Sequence, residues 1–302
     1  MPRHPSCAGI YAPIKTGKTV ASGVAHPSAI FIAAPGALNG LEGVFGIPEP
    51  ESHDLETFPE VTAFVERLKP GPEAIIIDDA SVIADRTAAV MADKFKHSDN
   101  HFASWLATLK ASIDSRDAIR RCRRHSVWTM HEVPPEEKGA RILGGPRFPG
   151  QAREKIPAAF DVLFRAVPRN GLEPAPKRAW KFVFQTKPNA DYLAGDRYHV
   201  AADPSPMNLG EILRLAGYPL PRLKGLEWQE EWVRSIAAIL LRTDATVGLW
   251  LANAERAEAV LEEAERKLTA KGYDERHIKW TLTDGYDRAV LLNARGRLRR
   301  GF

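Results

Sequence analysis

The sequence predicts an α/β fold on a mostly parallel sheet, followed by a helical C-terminal region. Three observations carry this expectation. Short, wholly apolar runs recur between stretches of helical periodicity, the habit of strands buried on both faces. They lie at residues 8–12, 29–34 and 74–77, and each closes on a turn rich in Gly, Pro or carboxylates. After about residue 203 the texture changes, and the remainder reads as helices, one with an apolar face of Trp228, Trp232, Val233, Ile236, Ile239 and Leu240. A chain of 302 residues has room for one large or two modest domains, here expected as a sheet-bearing core over 1–202 and a helical domain or extension over 203–302.

In chain order, residues 8–12 read as a buried strand and a Pro/Gly loop follows. A short helix is expected from near Lys18 until Pro27, because proline disfavours helical geometry in the residue before it. Residues 29–34 are the second strand, and 35–57, rich in Gly, Pro and acids, look irregular. Val61, Phe64, Val65 and Leu68 fall at helical spacing, and Pro70-Gly71-Pro72 breaks the chain. Residues 74–79 are a strand ending in two carboxylates, Asp78 and Asp79. Residues 85–101 are polar and ambiguous. Trp105, Leu106, Leu109 and Ile113 mark an amphipathic helix over 102–121. Residues 126–130 form the next strand, with His131 at its end, and 132–150 read as a Gly/Pro/charged loop. Two further strands, 160–167 and 180–186, flank an Asn170-Gly171 turn. Asp203-Pro204-Ser205-Pro206 reads as a linker, and helices are expected at about 207–217, 227–242, 246–271 and 274–294.

Hydrophobic residues at 44% and charged residues at 26% are globular values and exclude a largely disordered chain. No apolar run reaches membrane-spanning length, and the first residues lack a signal-peptide pattern. Only Cys7 and Cys122 occur, so a reducing cytoplasm is the expected compartment and no disulfide framework is expected. No Cys/His group has zinc spacing, and neither a Gly-x-Ser-x-Gly elbow nor the protein-kinase signature set is present. The net charge of +4 is compatible with a nucleic-acid partner without requiring one. Arg120, Arg121, Arg123 and Arg124 cluster, as do Arg295, Arg297, Arg299 and Arg300; each group suits either a helix C-terminus or phosphate contacts.

The strongest chemical signal is the loop Ala12-Pro13-Ile14-Lys15-Thr16-Gly17-Lys18-Thr19, set between strand and helix. A phosphate-binding loop needs backbone N–H groups that wrap the phosphates, a lysine for the β- and γ-phosphates and a hydroxyl for Mg²⁺. Lys18 and Thr19 fit the last two roles, while Ala12 stands where the usual first glycine would be. Asp78, at the end of an apolar strand, fits the acid that orders the Mg²⁺ shell. The plainer reading of Asp78 and Asp79 is a pair of helix caps, and that of His131 a satisfied structural histidine.

These blocks, in this order, resemble the phage RecA-like ATPases, in particular the core-only recombinases of the single-strand-annealing group. The resemblance rests on the loop ending Thr16-Gly17-Lys18-Thr19, on Ile76-Ile77-Asp78, and on Trp128-Thr129-Met130-His131-Glu132. Gly144-Gly145-Pro146-Arg147-Phe148-Pro149-Gly150, Ile156-Pro157-Ala158-Ala159-Phe160-Asp161 and Tyr192-Leu193-Ala194-Gly195-Asp196-Arg197 complete it. It spans about residues 8–200 and leaves the C-terminal hundred uncovered. It implies a RecA-like P-loop core that binds ATP and Mg²⁺ and assembles as a homo-oligomer, ring or filament, on single-stranded DNA. It assigns Lys18 and Thr19 to phosphate and Mg²⁺, Asp78 to the metal acid and His131 to γ-phosphate sensing. Residues 132–150 become the DNA-facing loop, with Lys138, Arg141, Arg147 and Arg153 as cations and Phe148 as the stacking side chain. Arg197 becomes a finger acting across a subunit interface. Two positions depart from the family: Gly195 replaces a lysine, and Ala33-Ala34-Pro35-Gly36 stands where a water-activating glutamate often ends the second strand. Asp79 is then the best candidate base and Glu42 a weak one, so slow hydrolysis or ATP used as an assembly switch is open. A helicase, packaging or replication accessory motor and a non-hydrolysing nucleotide-binding module are the alternatives.

Overall fold

The apolar runs become strands because each is covered on both faces. In the computed structural model, which describes residues 4–41, 44, 46–100, 102–138, 140–169, 181–240 and 247–300, the chain begins β1 (Cys7–Ala12), α1 (Lys18–Ala25), β2 (Ile30–Ala33), β3 (Glu51–His53), α2 (Phe58–Arg67) and β4 (Ile75–Asp78). It continues with α3 (Ala80–Lys94), α4 (Ala103–Arg121), β5 (Ser126–Val133), β6 (Glu136–Lys138), β7 (Ala140–Ile142), β8 (Gly145–Pro146) and α5 (Ala152–Lys155). Then come β9 (Val162–Pro168), β10 (Phe182–Gln185), β11 (Gly195–Asp196), β12 (Ser205–Pro206), α6 (Leu209–Leu215), α7 (Glu230–Leu240), α8 (Val247–Ala270) and α9 (Glu275–Arg300). The described side chains exclude those of 138, 140, 141, 247–254 and 294–300.

Among the described residues the main sheet runs β12-β10-β9-β1-β5-β4-β2-β3, with β11 on β9 and β8 on β5. The six strands from β9 to β3 are parallel, and β10 and β12 add an antiparallel edge. The loop-bearing strand β1 and the aspartate-bearing β4 are separated by β5 alone. Alternation sends Ile10, Phe31, Ile76, Val127 and Phe164 to one face, against α1 and α6. Tyr11, Ile32, Ile75, Ile77, Trp128 and Met130 go to the other, against α2, α3 and α4. Each such burial contributes about 1.5–3 kcal/mol, so both layers hold the strand ends in place. Thr57 starts α2 with a reciprocal capping box to Glu60, and Pro59 sits in its first turn.

Several expectations change. The ambiguous stretch 85–101 is largely α3, which runs to Lys94. The irregular 35–57 hides β3, a short polar edge strand paired with β2. The loop 132–150 contains an extended β5 and the β6–β7 hairpin. Residues 203–206 are not a linker. Ser205 and Pro206 pair with β10 and are buried, and Leu209, Ile212 and Leu213 of α6 belong to the core around α1. Helices α7, α8 and α9 share a separate apolar cluster around Trp232, Ile236, Leu261 and Leu282. Much of the first arginine cluster is spent internally. Arg120 donates to Ala159 O at 2.7 Å, Arg124 pairs with Glu73 at 2.6 Å, and Arg121 meets Glu66 at 3.3 Å. The second cluster's side chains, the Asn170-Gly171 turn and Glu42 lie outside the described residues. No helix among the described residues is long and apolar enough to cross a membrane.

Candidate nucleotide-binding site

Parallel strands place all their C-terminal ends on one edge of the sheet, and there the loop 13–17 crosses from β1 to α1. Lys15 (φ 60°) and Gly17 (φ 79°) adopt left-handed backbone, so the loop turns back on itself before α1. Glycine takes that conformation without steric cost; lysine does not. Successive N–H groups in such a turn, ahead of a helix N-terminus, form an anion cradle. Thr16 Oγ1 donates to Pro13 O at 3.0 Å and braces the turn. The loop walls a cavity of about 550 Å³, which Asp78, Asp79, His131, Ala33 and Ala34 also line.

Lys18 is buried, and its Nζ donates to Pro13 O at 2.9 Å and Ala12 O at 3.3 Å. Burial pushes its amine below the usual lysine range, while Asp79 and Asp78 pull it back up. Thr19 Oγ1 donates to Asp78 Oδ2 at 2.6 Å, and Thr129 Oγ1 donates to Asp78 Oδ1. Thr129 sits on β5, between the two strands, and holds the carboxylate toward α1. A hydroxyl and a carboxylate in contact beside a phosphate cradle are hard oxygen donors of the kind Mg²⁺ takes. The residues present therefore fit a nucleoside triphosphate with Mg²⁺, despite Ala12 at the loop's opening.

Asp79 is partly a structural residue. Its Oδ1 accepts from Ser81 N at 2.7 Å, capping α3, and its Oδ2 lies 3.4 Å from His131 Nε2. Burial raises its carboxyl above the usual range, against the opposing pull of His131, the Ser81 N–H and Lys18. His131 is level with Ala12 across the β1–β5 pairing. Its backbone N–H donates to Ser81 Oγ at 2.9 Å, and its carbonyl accepts from Arg147 N at 2.8 Å. The backbone of one residue thus joins the cavity wall to the following loop. The next residue, Glu132, makes a two-point pair with Arg165 of β9 at 2.6 and 3.0 Å. Arg165 in turn lies 3.3 Å from the centroid of the Tyr192 ring.

The expected DNA-facing residues that the structure describes sit in different surroundings. Phe148 is 6% exposed and packs in the core with Trp128 and Phe160. Its expected role as a stacking side chain is corrected: a ring held in the core has no face to offer a base. Arg147 is exposed and paired with Asp85 at 2.5 Å. Arg153 donates to Leu143 O at 3.0 Å and lies 3.6 Å from Glu136. The side chains of Lys138 and Arg141, on the β6–β7 hairpin, fall outside the description. Arg197 stands near the opposite edge of the sheet. It donates to Ala158 O at 2.7 Å, beside Asp161, whose N–H bonds Cys7 O at the start of β1. About 17 Å of strand separates that end of β1 from the loop, so this arginine does not reach its own chain's site.

Sequence reasoning missed Asp54 and Arg86, which line the same cavity. Asp54 follows β3, a strand with no apolar run to betray it. Arg86 sits in the stretch that showed no clear period, on α3, where it pairs with Glu56 at 3.2 Å.

No family model and no curated protein matches the chain. Among solved structures it is similar to a prototypical ATPase from the type III secretion system of pathogenic bacteria, at 12% identity and a TM-score of 0.43. The match covers 96% of this chain and 80% of that one. At that distance the likeness says nothing about activity. The strand order and the loop stand on their own geometry: the chain carries a mostly parallel central sheet with a phosphate-cradle type of turn between β1 and α1, followed by a helical C-terminal region.

Proposed function

We propose that the protein is a Mg²⁺-dependent ATPase acting on single-stranded DNA, of the phage recombination and annealing type, assembled as a ring or filament. The observation that carries the nucleotide part is the 2.6 Å contact between Thr19 and Asp78, beside a phosphate cradle closed by Lys18. In this reading the N–H groups of residues 14–19 hold the phosphate tail. Lys18 leaves the Ala12 and Pro13 carbonyls for the β- and γ-phosphates. Mg²⁺, held by Thr19 and Asp78, would neutralise charge on the phosphate oxygens. His131 reports the γ-phosphate through its backbone carbonyl, which accepts from Arg147 N, to the 144–150 loop.

The DNA and assembly parts rest on the sequence resemblance. Arg197 acts on a neighbouring subunit's nucleotide, which suits its place at the far edge of its own sheet. Lys138, Arg141, Arg147 and Arg153 contact phosphates of DNA. The test is ATP turnover with and without single-stranded DNA across a salt series. Stimulation by DNA that collapses as salt rises supports the reading, because phosphate contacts release counterions. Turnover indifferent to DNA at every salt concentration removes the DNA partner and leaves a P-loop ATPase of another kind.

A further inference from the structure

We infer that Asp54 is the general base of ATP hydrolysis, the carboxylate that orients the attacking water and takes its proton. This rests on the ATPase reading above. Among the described residues three carboxylates line the nucleotide cavity: Asp54, Asp78 and Asp79. Asp78 is committed, one oxygen to Thr19 and the other to Thr129. Asp79 is committed as the cap of α3, with its other oxygen turned to His131. Asp54 is exposed, and among the described residues no hydrogen bond or ion pair engages its carboxylate. The end of β2 offers no competitor, since Ala33 and Ala34 form that part of the wall.

Register places Asp54 where a base is needed. His53 pairs with Ile32 and Ala33 pairs with Asp78, so Asp54 lies level with the metal acid, two strands along the same edge. Two strand spacings are about 10 Å. That gap is enough for a γ-phosphate and one water between the two carboxylates, and too wide for a direct contact between them. Alternation also favours the position. Ser52 is level with Phe31 on the α1 face of the sheet, and Asp54, two residues on, continues toward that face. The segment is held from both sides. His53 packs its ring on Phe64 at 4.3 Å, Leu55 packs against the core of the opposite face, and Glu56 is tied to Arg86.

In the step, the water oxygen forms a bond to the γ-phosphorus as the bond from phosphorus to the β–γ bridging oxygen breaks. The bridging oxygen leaves with the electron pair on ADP. The water proton passes to the Asp54 carboxylate and from there to bulk solvent, to which Asp54 is open.

The test compares wild type, Asp54→Asn, Asp79→Asn and Lys18→Ala. Read-outs are steady-state turnover, affinity for a fluorescent ATP analogue, and retention of ADP with aluminium fluoride as a mimic of the transferring phosphoryl group. Asp54→Asn is expected to lower kcat by about 100-fold or more, the usual worth of a positioned base. Its KM and ATP affinity should stay within about threefold of wild type, while aluminium fluoride should no longer tighten ADP. Turnover of Asp54→Asn within about threefold of wild type overturns the assignment. So does a 100-fold loss confined to Asp79→Asn. A wild type that binds ATP without hydrolysing it overturns the base and leaves the nucleotide site standing. If Lys18→Ala binds and hydrolyses ATP like wild type, the site itself is wrong.

Discussion

His26 ends the helix that carries the phosphate loop, and acid should act on the fold through it. The imidazole is 5% exposed, its Nε2 has no hydrogen-bond partner among the described residues, and its ring lies 5.5 Å from that of His125. Burial pushes its pKa from the usual 6.5 down to about 3, with His125 and Arg214 pushing the same way. The unfolded chain takes up this proton near pH 6.5, and the folded chain does not until about pH 3. The stability is therefore complete above pH 6.5 and is lost progressively as pH falls through that window. At pH 5 the loss is about 2 kcal/mol, from about 1.4 kcal/mol per pH unit over about 1.5 units. His125, also pushed down by burial, adds to the same trend. Buried Asp284 and Asp287, whose carboxyls burial raises, oppose it. The clean read-out is thus a difference between proteins. Urea melts of wild type and His26→Gln at pH 7.5 and pH 5.0 should show wild type losing about 2 kcal/mol more than the variant over that interval. Equal losses would refute the reasoning, whatever the variant's absolute stability.

Three other outcomes follow from particular contacts. Phe148→Ala should cost about 3–5 kcal/mol by thermal or urea unfolding, because the ring is core; near-wild-type stability would return it to the surface. Gly285→Ala should destabilise by about 1–3 kcal/mol, since a Cβ there would sit 2.0 Å from the Trp228 ring. Helix propensity alone predicts a gain of about 1 kcal/mol, so the sign of the change in the melt decides. Arg197→Ala should leave stability within about 1 kcal/mol of wild type, as the side chain is more than half exposed. It should lose turnover, and mixing it with Lys18→Ala should restore part of it; no recovery on mixing would place the arginine outside a shared site.

Much of the core was readable because parallel strands covered on both faces leave a continuous apolar signature. Residues 75–78, with three isoleucines and one aspartate, admit few other readings. The loop was readable for a different reason: phosphate chemistry demands glycine, lysine and a hydroxyl at set spacing, and Thr16-Gly17-Lys18-Thr19 supplies them. What escaped was decided by tertiary contact. Glu51-Ser52-His53 is polar and becomes a strand only because β2 offers an edge, so Asp54 stayed hidden. Phe148 reads as a loop aromatic until the fold buries it in the core cluster that also holds Trp128 and Phe160. Ser205-Pro206 looks like punctuation, yet β10 recruits it as an edge strand, a place where proline's missing N–H is tolerated. The split roles of Asp79, cap on one oxygen and cavity wall on the other, could not be separated from spacing alone.

The most direct measurement is equilibrium binding of ATP, with and without Mg²⁺, to wild type, Lys18→Ala and Thr19→Ala. The geometry predicts tight binding by wild type that Mg²⁺ strengthens, loss of at least about tenfold in affinity for Lys18→Ala, and loss of the Mg²⁺ enhancement alone for Thr19→Ala. Binding by all three proteins with the same affinity and the same Mg²⁺ response would contradict the site.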